Sequence, residues 1–122
     1  MIPTPLPEKP WQKVATDLFY HNGKTCIIVL DYYSRFFEIA FLKSATTENA
    51  IDHIKSFFCR HGIPEITLSD NGPQFAATTF SKFAEEWSCT HVTSSPRYPQ
   101  SNGEVEKAVK TAKDLIIRSE DQ

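Results

Sequence analysis

Three carboxylates have settings in which they could do chemistry. Asp17 lies inside the apolar, β-rich run Val14-Ala15-Thr16-Asp17-Leu18-Phe19. A charge there is costly unless it meets water, a partner or a metal. Asp70 follows a short strand-like run and opens Asp70-Asn71-Gly72. Glu106 comes just after Gly103, at the start of the last helical pattern, with Glu104 as its rival. Brought together, three carboxylates repel one another without a cation, and they form an all-oxygen site of the kind Mg²⁺ or Mn²⁺ prefers. Taken singly, each also has an ordinary use. Asp17 could be a salt-bridge or turn residue, Asp70 a turn residue, and Glu106 a charge favoured by a helix dipole. The information lies in their joint placement.

The elements that must position them are legible from period and punctuation. Residues 14–20 and 25–32 flank His21-Asn22-Gly23-Lys24, and Asn-Gly between β-rich runs predicts a hairpin. Residues 26–30 (CIIVL) show no polar alternation, as in a strand buried on both faces. Residues 36–42 make a third strand. The period then changes. Thr47 is the expected N-cap of a helix that buries Ala50, Ile51, Ile54, Phe57 and Phe58, and Gly62 with Pro64 ends it. Residues 65–69 form a fourth strand. A second helix is predicted at 77–87, where Phe80, Phe83, Ala84 and Trp87 share a face. Residues 90–93 form a fifth strand and 94–103 a loop. A last helix over about 103–118 would bury Val105, Ala108, Val109, Ala112, Leu115 and Ile116.

The order β-β-β-α-β-α-β-α predicts an α/β fold. A three-stranded antiparallel meander, extended by two crossover-linked strands, makes a five-stranded mixed sheet flanked by helices. If the first helix crosses over, strand 4 lies beside strand 1, and Asp17 and Asp70 meet at one crevice.

Composition bounds the rest. The chain has 122 residues, one domain's worth, read as a proline-rich extended arm at 1–10, a core at 11–119 and a tail at 120–122. Net charge is −2, from 13 basic and 15 acidic residues, which excludes a generally basic, phosphate-coating surface. No apolar run is long enough for a membrane span, and no secretion signal is read. Cys26, Cys59 and Cys89 are odd in number and widely spaced, and read as small core residues in a reducing compartment. No histidine pairs with a cysteine at zinc-ligand spacing. Asp31 reads as structural, within reach of Arg35. Nine Phe, four Tyr and two Trp are many for so small a domain, and the first helix (with Phe57 and Phe58) and the last are candidates for pairing between copies.

Four ordered segments carry a resemblance over about residues 11–115. They are Ala15-Thr16-Asp17-Leu18-Phe19, Leu30-Asp31-Tyr32-Tyr33-Ser34-Arg35, Ser69-Asp70-Asn71-Gly72-Pro73-Gln74-Phe75, and Ser95-Pro96-Arg97-Tyr98-Pro99-Gln100-Ser101-Asn102-Gly103-Glu104-Val105-Glu106. Residues 71–105, 35 in number, separate Asp70 from Glu106. The chain resembles the catalytic core of retroviral and retrotransposon integrases, the DDE superfamily, most closely those of Ty3/Gypsy type. That resemblance implies a ribonuclease-H-like fold, with Asp17, Asp70 and Glu106 as catalytic and metal-binding triad. It implies Mg²⁺ (or Mn²⁺), two ions when DNA is bound, and DNA 3′-end processing followed by strand transfer. The expected partners are retroelement ends and target DNA, together with further copies of the chain in a homodimer or higher oligomer. The expected place of action is the nucleus, after a cytoplasmic particle. A transposase core of the same fold, or a host-kept DNA- or protein-binding module with weak or no catalysis, is the alternative. Arg97 departs from the family's usual loop.

DNA must be held despite the negative net charge. At 100° per residue, Glu106, Lys110 and Lys113 fall within about 60° of one another, so the two lysines would line the approach to the site. Gln100, Ser101 and Asn102 are candidates to bond phosphate or base edges.

Overall fold

The computed structural model describes residues 8–70, 72–93 and 99–120; in the last of these segments the described side chains are those of 107 and 110–119. Residues 1–7 of the arm predicted at 1–10, residues 94–98 of the loop predicted at 94–103, and residues 71, 121 and 122 lie outside the described residues.

Strands β1 (Lys13–His21) and β2 (Lys24–Asp31) form the predicted hairpin. Asn22 and Gly23 take φ of 52° and 75°, the pair of positive values that a type I′ turn needs. This fixes the antiparallel register from His21↔Lys24 to Val14↔Asp31. Strand β3 (Phe37–Leu42) pairs with the other edge of β2. Helix α1 (Thr47–His61) crosses over to β4 (Ile66–Ser69), which lies parallel to β1. Strand β5 (Thr90–Thr93) adds parallel to β4. The sheet order is β3-β2-β1-β4-β5, with strand 4 beside strand 1 as predicted.

Helices cover both faces. Val14, Ile27 and Val29 pack on one face against Ile54, Phe57 and Phe58 of α1 and Phe80 and Phe83 of α3 (Thr78–Glu86). The opposite face, with Ile28, Phe19, Phe37 and Ile39, packs around Ala112 of α4 (Pro99–Glu120). The apolar run 26–30 is buried throughout because β2 is central and covered on both sides.

The structure departs from the sequence reading in several places. Thr46, not Thr47, caps α1; its extended backbone brings the hydroxyl to accept from the Asn49 N–H. A one-turn helix α2 (Pro73–Ala76) precedes α3, and extended Ala77 separates the two. Four residues are too few to show a period. Helix α4 begins at Pro99 instead of about 103. A proline fits the first helical position, where its missing N–H is no loss. Gln100, Ser101 and Asn102 are therefore helical rather than in a loop, and Glu106 lies two turns in, beyond the reach of the terminal dipole. Leu115 is half exposed, because Ala112 and Ile116 hold the stripe facing the sheet. Cys59 is exposed, whereas Cys26 and Cys89 are buried. Phe57 and Phe58 are each 2% exposed and fill the core, so they cannot form a pairing surface.

One surface cluster makes a pH prediction. Glu38 accepts from Arg60 Nη2 at 2.8 Å and lies 3.2 Å from His61 Nε2. The Arg60 hydrogen bond, with His61 behind it, holds the Glu38 carboxyl below its ordinary value of 4.5. A carboxyl depressed in the fold stabilises above its unfolded value, and that gain fades as pH falls through the folded one. Glu38→Gln is expected to lower Tm by about 2 °C at pH 7. Thermal scans should show the deficit closing under acid.

Candidate active site

Parallel pairing sets the height of the two aspartates. The register is Lys13↔Ile66, Val14↔Thr67 and Ala15↔Leu68. Asp17 and Asp70 each lie two residues beyond the last pair. They therefore come level where β4 ends, near enough for the Asp70 charge to act on the Asp17 carboxyl. Alternation puts Asp17 and Phe19 on the sheet face that α4 covers.

Asp17 is 28% exposed at its side chain and has three neighbours that matter. The Leu18 N–H donates to its Oδ1 at 2.9 Å. Lys113 Nζ donates to its Oδ2 at 3.2 Å, and this ammonium also sits 5.2 Å from the centre of the Phe19 ring. The Asp17 carboxyl is pushed above its ordinary range, first by burial and further by the charge of Asp70; the Lys113 ion pair opposes this and does not cancel it.

Asp70 is held by the turn that follows it. The Gly72 N–H donates to Asp70 Oδ1 at 2.9 Å. A Cβ at position 72 would stand 3.0 Å from that same oxygen, so any other residue would crowd the carboxylate by a few tenths of an ångström. The main-chain oxygen of Asp70 accepts from the Ser69 hydroxyl at 2.9 Å. That hydroxyl has a single hydrogen, so its 2.6 Å contact with His91 Nε2 places a proton on Nε2. Burial beneath α3, where the ring lies 4.6 Å from Phe80, keeps His91 below its ordinary value and neutral at pH 7. The sequence reading missed Ser69, Gly72, His91 and Phe19. Strand alternation could have found Phe19, two residues from Asp17. His91 shows only once β5 is registered on β4, where it pairs with Thr67 and reaches diagonally to Ser69.

The predicted residues are thus partly brought together. Asp17, Asp70 and Lys113 converge. Lys110 is exposed one turn before Lys113 on α4. The positions of Glu106 and of Gln100, Ser101 and Asn102 are in α4, and their side chains lie outside the described residues. Among the described residues, Asp17 and Asp70 have no third His, Cys, Asp or Glu completing a metal cluster. What they offer is hard oxygen donors at like charge, with one cation, the Lys113 ammonium, paired to Asp17 and offsetting part of that charge. That donor chemistry fits Mg²⁺ or Mn²⁺.

The integrase core domain family matches residues 7–99. The chain belongs to that family. The matched span of this integrase core contains Asp17 and Asp70 and stops before Glu106. An uncharacterized protein of Caenorhabditis elegans is 34% identical over 95% of the chain. The Gag-Pro-Pol polyprotein of Simian retrovirus SRV-1 is 31% identical over 91% of it. The chain spans only 9% and 6% of the length of these two relatives. Among solved structures, it overlays the catalytic core domain of BIV integrase with TM-score 0.75 at 24% identity, covering 92% of this chain and 74% of that one. The simian T-cell lymphotropic virus intasome gives TM-score 0.79 at 24% identity, covering 98% and 44%. The HTLV-2 integrase catalytic core domain, solved in complex with magnesium in a trimeric form, gives 0.72 at 20%, covering 90% and 72%. The fold of this integrase core is ribonuclease-H-like, as the resemblance implied.

Proposed function

We propose that the chain is the catalytic core of a retroelement integrase, acting on DNA by 3′-end processing and then strand transfer. The observation that carries this reading is the level placement of Asp17 and Asp70 at the end of β4, with an α4 ammonium on Asp17. Asp17, Asp70 and Glu106 would hold Mg²⁺ or Mn²⁺, two ions when DNA is bound. When bound, such ions activate an oxygen nucleophile and stabilise the leaving oxygen.

The chain's own residues do the rest. The Leu18 and Gly72 N–H groups orient the two carboxylates. Ser69, held by His91, fixes the Asp70 backbone. Lys110 and Lys113 would bind the phosphates of the DNA end. Gln100, Ser101 and Asn102, in the first turn of α4, would contact phosphate or base edges. Further copies of the chain complete the working assembly. The site of action would be the nucleus, reached from a cytoplasmic particle. No helix among the described residues is long and apolar enough to cross a membrane.

The experiment is DNA binding against salt. Lys110→Ala and Lys113→Ala should each reduce the slope of log affinity against log salt by about one unit in the presence of Mg²⁺. Lys43, exposed just after β3, carries the same charge away from the site. An equal loss of slope in Lys43→Ala would mean general charge and no DNA path along α4.

A further inference from the structure

Lys113 is doubly engaged before any DNA is present. Its ammonium is 3.2 Å from Asp17 Oδ2 and over the Phe19 ring, and its side chain is 30% exposed. A group already paired with a carboxylate is not free to pair with a phosphate. A carboxylate already paired with an ammonium resists a second cation. We propose that Lys113 is a resident counter-ion of Asp17 that a divalent cation must displace, and that displacement is what frees the ammonium for DNA phosphate. This rests on the carboxylate site proposed above.

The physical case is one of charge. Asp17 is mostly buried and faces the charge of a second carboxylate, so a positive charge within ion-pair distance offsets both. Lys113 supplies one unit from a flexible stem, which can swing to solvent without disturbing the helix, because Ala112 and not Lys113 anchors α4 on Ile28. A divalent cation offers the same oxygens two units of charge and direct coordination. With both on one oxygen the two cations would repel each other at close range, so the more highly charged ion displaces the ammonium. Metal loading and DNA engagement then become coupled through one side chain, and the coupling must act equally in both directions.

The test uses Mn²⁺ alone, its affinity read from water-proton relaxation of the DNA-free protein. Lys113→Met keeps a flexible unbranched side chain and removes the charge. It should bind Mn²⁺ about fivefold more tightly than the wild type, the factor expected when a partly buried ion pair no longer has to be broken. Lys113→Arg, which keeps the charge, should return close to wild type, and Lys43→Ala should leave the affinity unchanged. A Mg²⁺ titration should move the Lys113 side-chain resonances with the same midpoint as the Leu18 amide, which is bonded to Asp17. Equal or weaker Mn²⁺ binding by Lys113→Met overturns the exchange. Asp70→Asn separates this from failure of the underlying site. If it weakens Mn²⁺ binding while Lys113→Met changes nothing, the site stands and the exchange falls. If Asp70→Asn binds Mn²⁺ as well as the wild type, both fall.

Discussion

Asp17→Asn and Asp70→Asn are each expected to abolish metal-dependent strand transfer by a protein carrying this core, while the domain stays folded. The loss should be about 10³-fold or more, because a bound divalent cation supplies several kcal/mol of charge stabilisation and each ~1.4 kcal/mol is a factor of ten. Stability should move the other way. Burial and the Asp70 charge hold the Asp17 carboxyl above its ordinary range, against the pull of Lys113. The ionised form is therefore a net cost to the fold at neutral pH, and the neutral amide of Asp17→Asn removes it. Tm at pH 7 should stay level or rise. Asp70→Asn removes the like charge facing Asp17 and should act in the same direction. The Leu18 and Gly72 amide resonances report each site directly, since each amide donates to the carboxylate concerned. A marked fall in Tm for both variants would assign the two aspartates to the scaffold instead of the chemistry.

The sheet was legible in the sequence because its signals are local. Asn22-Gly23 specified the turn, the unalternating run at 26–30 specified a central strand, and the first helix specified a crossover. From those three, Asp17 and Asp70 could meet if strand 4 lay beside strand 1, and the parallel register of β4 on β1 supplies that condition. The parts that were not legible depend on tertiary contact. The start of helix α4 at Pro99 was not legible because a proline reads equally as a loop residue and as the first residue of a helix. Phe57 and Phe58, read as part of a docking surface, went inward into the core beneath α1 and α3, where Phe58 stacks on Phe83, while Tyr20, Tyr33, Phe36 and Phe41 are at least half exposed. Lys113 showed as a DNA contact from helix period alone. Its place on Asp17 required the crossing of α4 over β1, which no spacing within one helix reveals.

Asp31 offers the opposite experiment from Asp17. It lies in the same hairpin, belongs to a motif as recognisable as that of Asp17, and is 2% exposed. Its carboxylate accepts from the Trp11 N–H at 2.9 Å, the Tyr33 N–H at 3.1 Å, the Ser34 N–H at 3.3 Å and the Ser34 hydroxyl at 2.7 Å. Arg35 contributes from the same turn through its main-chain N–H, which donates to the Asp31 main-chain oxygen, while its guanidinium lies over the Tyr32 ring. Trp11 and Arg35 both take left-handed backbone, with φ of 65° and 68°, a conformation that non-glycine residues keep only when their surroundings hold them there. Asp31 holds Trp11 on one side, and the indole N–H, donating to the Gly62 main-chain oxygen at 2.6 Å, holds it on the other. Asp31→Ala strands these donors and releases both turns. The Ser34 hydroxyl can turn to water, and with each of the three stranded N–H groups costing about 1 kcal/mol the total should be about 3 kcal/mol, a fall in Tm of about 10 °C for a chain of this length. Asp31→Asn keeps one acceptor oxygen and should lose about half as much. In both variants the Mn²⁺ affinity of the fraction that remains folded should equal the wild type's, since Asp31 closes the β2–β3 turn rather than the end of β4. A folded Asp31→Ala of unchanged Tm and weakened Mn²⁺ binding would move this carboxylate from the scaffold to the site.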